Sequence, residues 1–251
     1  MLSSPIKRLA LRYLPDRWLT RLKKRHYLRK LRRVDANTEP EMAVLAGLLR
    51  PGMRAIDVGA NFGSYTRCLS ELVGPAGEVW SIEPVPMTFD VLRSGVESLE
   101  AGNVRLLHSA VSDAVGMVRM QVPVYPTGGE NFYEARIVDS ATPGLRTVEV
   151  PAVSLDRLCE RMPHVDLVKV DVEGHEWAVV RGADALIRRC RPIWLVEISG
   201  NPDDDATNAS KVFAFMAERG YRARLVRDGE LIDRRAGDRS VNYFFVPTAI
   251  G

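Results

Sequence analysis

Two segments about 110 residues apart constrain this chain more than anything else in it. Ala55-Ile56-Asp57-Val58-Gly59-Ala60-Asn61-Phe62-Gly63 is the first, and Asp166-Leu167-Val168-Lys169-Val170-Asp171-Val172-Glu173-Gly174-His175-Glu176 the second. Each reads as a short apolar strand that ends in an acid and breaks at glycine into a helix. Strands of this kind belong inside a mostly parallel sheet covered on both faces. Two such tips side by side face one crevice, and ligands of open α/β sheets bind at the carboxyl ends of the strands.

The rest of the chain supports that frame. From Asn37 onward strands and helices alternate. Strands are expected at 54–58, 78–82, 104–107, 115–124, 147–152, 167–170, 192–198, 221–226 and 241–246. Helices are expected at 41–49, 64–73, 87–99, 154–161, 176–189 and 206–219, several bounded by Pro or Gly. The last two strands read as an antiparallel pair joined through Asp228-Gly229. Residues 125–147 carry Pro126, Gly128, Gly129, Pro143 and Gly144 and read as a long irregular insertion, a length typical of lids or mobile segments. The chain thus divides into an extension, 1–36, and one domain, 37–251.

The domain's crevice calls for a nucleoside. Glycines at 59 and 63 let the backbone turn and approach a ligand closely, and Glu83 tips the next strand, where a carboxylate accepts both ribose hydroxyls. A dinucleotide fingerprint needs a second glycine where Asn61 stands, and Asp57 is poorly placed beside phosphates. An acid there suits the ammonium of a methionine-like tail. S-adenosylmethionine (SAM) carries that tail, a ribose and no phosphate, so the charge pattern favours SAM over NAD.

These residues carry a family resemblance. The segment 56–63 with Ser81-Ile82-Glu83-Pro84 looks like the first two cofactor motifs of class I SAM-dependent methyltransferases. Ala110-Val111-Ser112-Asp113, Val153-Ser154-Leu155-Asp156, the segment 167–176 and Arg191-Pro192-Ile193-Trp194-Leu195-Val196-Glu197 follow in an order similar to the FkbM family. The resemblance covers about residues 37–247. It implies a doubly wound, mostly parallel seven-stranded sheet whose last strand is antiparallel, and O-methylation of a saccharide, glycolipid or related natural-product hydroxyl. It places Asp57, Gly59, Ala60 and Asn61 around the methionine end of SAM, Gly63 at the helix approach, Glu83 on the ribose, and Ser109 and Ala110 near adenine. The competing classes are an NAD-dependent oxidoreductase and a non-catalytic SAM- or glycan-binding protein at a membrane surface.

Methyl transfer to a hydroxyl needs alignment and a base. His175 is the leading candidate base, since neutral imidazole accepts protons near pH 7; the alternative is that it caps its helix. Lys169 and Asp171 share a strand face and form either a structural ion pair or part of the transfer site. Glu173 orders the loop or the substrate. Asn131 and Tyr133 in the insertion, with Glu197 at a strand tip, are candidate substrate contacts. Asp171, Glu173 and Glu197 could also hold Mg²⁺, although structural acids are the favoured reading and no metal is expected. Three dispersed cysteines, Cys68, Cys159 and Cys190, form neither a disulfide framework nor a zinc pattern.

Residues 1–35 hold twelve Lys and Arg against two acids, whereas the whole chain carries only +3. Apolar residues from Ile6 to Leu31 recur between these bases at roughly helical spacing. Such a helix either lies on an anionic membrane or packs its apolar face on a protein; no nucleic-acid motif accompanies it. With no signal peptide and no long apolar run, the expected location is cytoplasmic, peripheral at the inner membrane face if the arm binds lipid.

Overall fold

The computed structural model describes residues 16–35, 37–125 and 130–248; the side chains of 16–23 and of Tyr133 lie outside the described residues. After a basic helix α1 (Asp16–Leu31) and a short α2 (Pro40–Leu48), strands and helices alternate as β1 (Arg54–Val58), α3 (Ser64–Val73), β2 (Glu78–Ile82), α4 (Pro86–Ser98) and β3 (Val104–Leu107). A second group follows: β4 (Ala110–Val111), β5 (Gly116–Val122), β6 (Arg136–Ile137) and β7 (Arg146–Val153), then one helical turn, α5 (Leu155–Leu158). The chain returns through β8 (Leu167–Val170), α6 (Glu176–Arg181), α7 (Asp184–Cys190), β9 (Ile193–Glu197), α8 (Asn208–Glu218), β10 (Tyr221–Arg227), β11 (Glu230–Asp233) and β12 (Asn242–Pro247).

The main sheet runs β11-β10-β12-β9-β8-β1-β2-β3. It is parallel from β9 to β3, and β12 inserts antiparallel to both β9 and β10. This is the doubly wound sheet with an antiparallel last strand, widened by β11 to eight strands. All four residues of β8 are buried, as are the last four of β1, because helices cover both faces. On one face Ile56, Val168, Trp194 and Phe245 pack with α6, α7 and α8. On the other, Ala55, Leu167, Leu195 and Phe244 pack with α2, α3 and the end of α1.

Four expectations are corrected. The segment 125–147 is not wholly irregular: it supplies a 3-10 turn (Phe132–Glu134) and β6, and it runs into β7. With β4 and β5 these strands form a separate four-stranded sheet over its own core of Val85, Met120, Phe132 and Val150. Its polar alternation reflects one wet face. The helix expected over 176–189 is two helices broken at Gly182-Ala183, where Gly182 lies against the Ser112 carbonyl. The helix expected over 154–161 is a single turn. Asp228-Gly229 joins β10 to β11 rather than to the last strand. Among the described residues no helix is long and apolar enough to cross a membrane.

Strands β1 and β8 pair in register from Ala55–Leu167 to Val58–Val170, and the Asp171 N–H donates to the Val58 carbonyl at 3.0 Å. Gly59 then turns with φ +73°, and a Cβ there would lie 1.8 Å from the Asp171 carbonyl oxygen. No side chain fits at that distance. Gly59→Ala is therefore expected to cost about 2–4 kcal/mol through backbone strain and overpacking. Guanidinium unfolding measures this, and an unchanged midpoint would contradict the close approach.

Candidate functional site

The loop after β1 is shaped by its backbone. Gly59, Asn61 and Gly63 all have positive φ, and the Gly59 and Ala60 N–H groups donate to the Ile82 carbonyl at the tip of β2. Asn61 donates its N–H to Glu83 Oε2 at 2.9 Å, while Val85 N–H donates to Glu83 Oε1 at 2.8 Å. Glu83 is 5% exposed. Burial outweighs its two N–H donors and raises its pKa to about 7. The Asn61 side-chain Oδ1 is buried and accepts no hydrogen bond from the described residues. A buried acceptor in that state calls for a ligand donor.

Two recesses meet at this loop, sharing Gly59, Asn61 and Asp171. The first is lined by Glu83, Ser109, Ala110, Val111 and Glu173, and is flanked from the small sheet by Met120, Phe132, Ala135 and Ile137. Its walls are largely apolar, with the Glu83 carboxylate among them. Ser109 directs its hydroxyl to the backbone carbonyls of Ala110 and Pro151, so it shapes this wall. The second recess is lined by Tyr27, Lys30, Glu39, Ala60, Phe62, Tyr65, Lys169 and Glu197.

Beneath the junction lies a buried charge cluster. Lys169 Nζ is 3.2 Å from Asp171 Oδ2 and 3.8 Å from Asp57 Oδ1, and it sits 4.8 Å above the Tyr65 ring. Burial opposes the lysine charge, but the carboxylates of Asp171 and Asp57 outweigh it and hold its pKa above the ordinary lysine value. Burial likewise pushes Asp57 up, against the pull of Lys169 and of the Thr66 hydroxyl that donates to Oδ2 at 2.7 Å. Asp57 is 0% exposed and lines neither recess. The side chain expected beside a ligand ammonium instead faces Lys169 and Thr66 beneath the loop. Gly63 also stays off the lining and packs against Leu92.

The expected transfer residues divide. Lys169, Asp171, Glu173 and Glu197 come together around the junction. Glu173 is lifted to about 7 by burial and by Asp171 and other nearby carboxylates. Glu197 is also raised to about 7, by burial and by Asp171, with Lys169 opposing. His175 is not with them. It holds the N-cap position of α6, its Nε2 pairs with the Ser112 hydroxyl at 2.9 Å, burial lowers its pKa, and its ring lines neither recess. Asn131 is buried, with its N–H bonded to the Pro123 carbonyl, and it too lies off both linings. Tyr133's side chain lies outside the described residues. Among the described residues no group of three or more His, Cys, Asp or Glu is placed to share a metal ion.

Sequence reasoning missed Tyr27, Lys30, Glu39 and Tyr65 in the second recess, which nothing in their local pattern marks. It also missed the flank from Met120 and Ile137. Phe62 was in view inside the glycine motif but carried no assigned role.

The methyltransferase FkbM domain family matches residues 57–223, more than half of the chain. The hexuronic acid methyltransferase of Haloferax volcanii is 29% identical over 149 residues, covering 59% of this chain and 56% of that protein. The protein-L-isoaspartate O-methyltransferase of Methanothrix thermoacetophila is 36% identical over 59 residues, 24% of this chain and 28% of that one. The chain thus spans between 20% and 56% of the length of such curated relatives. The crystal structure of an FkbM methyltransferase from Methylobacillus flagellatus superposes with a TM-score of 0.48 at 13% identity, covering 82% of this chain and 50% of that one.

Ribose hydroxyls donate most strongly to an ionised carboxylate, so donor binding favours deprotonated Glu83. Affinity for S-adenosylhomocysteine should be full above pH 7 and fall below it, by up to about tenfold per unit. Glu83→Gln should weaken binding and flatten the slope. Calorimetry across the neutral range checks this, and a flat wild-type profile would contradict it.

Proposed function

From the premise that the chain belongs to the FkbM methyltransferase family and is a SAM-dependent methyltransferase, we propose that it transfers the methyl group to a hydroxyl of a saccharide, glycolipid or related natural product. The observation that carries this proposal is the second recess: a proton-accepting carboxylate, Glu197, stands beside the donor loop among aromatic and acidic side chains. A sugar hydroxyl needs a base as its oxygen attacks, whereas a carboxylate acceptor needs none. The hexuronic acid methyltransferase of Haloferax volcanii, similar over more than half of this chain, adds support for a sugar acceptor.

Bound SAM would supply an electrophilic methyl group on a sulfonium. Glu83 and the Asn61 Oδ1 would hold its ribose and its amino-acid end, and the walls of the first recess its adenine. Gly59 leaves the space at the junction open. Glu197 would orient the acceptor hydroxyl and take its proton as the new O–C bond forms; a pKa of about 7 suits a base working near neutrality. Lys169 fixes Asp171 by their 3.2 Å contact, and its charge keeps Glu197 from rising further. Within this proposal Glu173 orders the edge of the first recess, and His175 holds the start of α6. Arg25, Arg29, Arg32 and Arg33, all exposed, would add an electrostatic contact with an anionic membrane or a lipid-linked acceptor.

Glu197→Gln should lower kcat by about 10²–10⁴-fold and remove the acid limb of the rate profile near pH 7, with affinity for S-adenosylhomocysteine retained. Tritiated methyl transfer from SAM into a lipid and polysaccharide extract measures the rate. Undiminished transfer by the variant would remove Glu197 as the base. No transfer by the wild-type protein to any hydroxyl acceptor would favour a non-catalytic binding protein.

A further inference from the structure

We infer that the segment preceding the family-matched region forms the acceptor-selecting wall of the site, with Tyr27 and Glu39 as its specificity-determining residues and a pyranose-type sugar as its ligand class. The family match begins at residue 57, yet the second recess is closed from one side by α1 and by Glu39, the N-cap residue of α2. This inference rests on the saccharide reading of that recess.

The wall is built into the fold. Leu31 of α1 is buried, and its carbonyl accepts from Arg67 Nη1 at 2.6 Å. A Cβ on Gly95 of α4 would lie 2.5 Å from Leu31 Cδ2, so α1 packs closely on α4 at this point. Leu28 and Leu31 of α1 therefore pack against α4, and this end of the helix is fixed beside the loop after β1. Tyr27 stacks on Phe62 with ring centroids 3.6 Å apart and planes 10° apart. An aromatic pair thus joins the N-terminal helix to the residue that follows Asn61.

Glu39 extends the same wall. Its Oε2 accepts from the Tyr65 hydroxyl at 2.7 Å, and the Tyr65 ring lies under Lys169. A polar chain therefore runs from Glu39 through Tyr65 and Lys169 to Asp171. Glu39 and Glu197 line the same recess, so two carboxylates face its interior. Two carboxylates that accept hydroxyl hydrogens, beside an aromatic surface that packs against C–H groups, match the alternating polar and apolar surface of a sugar ring. Glu197 would take the reacting hydroxyl, and Glu39 a second one that fixes which position reacts.

The test uses the full chain loaded with S-adenosylhomocysteine, with methyl β-glucopyranoside and methyl β-glucuronide as probes in saturation-transfer NMR. The wild-type protein should bind at least one sugar. Glu39→Gln should weaken that binding about tenfold, as loss of a charged hydrogen bond does, and Tyr27→Ala should weaken it by about threefold to tenfold through loss of the aromatic face, while S-adenosylhomocysteine affinity stays within about threefold. Glu39→Gln keeps the size and the Tyr65 contact, so it reports even where Tyr27→Ala loses structure. Unchanged sugar affinity in both variants would overturn the wall and leave the saccharide reading standing. Equal loss of donor affinity in Glu39→Gln would also overturn it, by assigning the residue to the donor site. Absence of sugar binding by the wild-type protein would overturn both readings.

Discussion

The site depends on how closely the tips of β1 and β8 approach. With the Asp171 N–H bonded to Val58 and its carbonyl occupying the space where a side chain at 59 would begin, the two loops cannot separate without breaking the centre of the sheet. That contact fixes Asn61 against Glu83 on one side and Asp171 against Lys169 on the other. The loop after β1 and the acids at the tip of β8 are consequently one rigid unit, and the proposed in-line displacement would need such rigidity, because small misalignments of reacting atoms are costly.

The charges at this junction follow from the same geometry. Lys169 is 5% exposed, a position unusual for lysine unless it is paired. Its two carboxylates make the burial tolerable. Around that cluster the pKa values of Glu83, Glu173 and Glu197 are each raised to about 7, chiefly by burial in all three, with the neighbouring Asp171 adding to it in the latter two. All three are poised near neutral pH because the sheet tips hold acids close together in a poorly hydrated place, and the proposed roles of Glu83 and Glu197 draw on that.

Much of the fold was legible in the sequence where periodicity was strong. The strands 54–58, 78–82, 104–107 and 167–170 stand where short, mostly apolar runs put them, and Glu83, Ser109 and Ala110 line the first recess at strand ends. What failed did so for physical reasons. The small sheet was obscured by Pro and Gly in 125–147, which read as loop, although Pro143 and Gly144 lead directly into β7. His175 resembled a base by type and position, but Ser112, far away in sequence, captures its ring. Asp57 was assigned to the ligand because an acid ends the strand, but the pleat of β1 turns its side chain under the loop, toward Thr66 and Lys169. Tyr27 and Glu39 carry no local signal at all, because their role arises only when α1 docks on α4.

Under the proposed function the methyl group ends as an ether on a sugar hydroxyl, with donor and acceptor on opposite sides of the Gly59–Asp171 contact. The most direct measurement is the chemical form of the labelled product after transfer from tritiated SAM. A sugar methyl ether keeps its label through mild alkali and yields an O-methyl sugar by mass spectrometry, which is the expected result. Release of the label as methanol under alkali would identify a carboxyl ester and contradict the account.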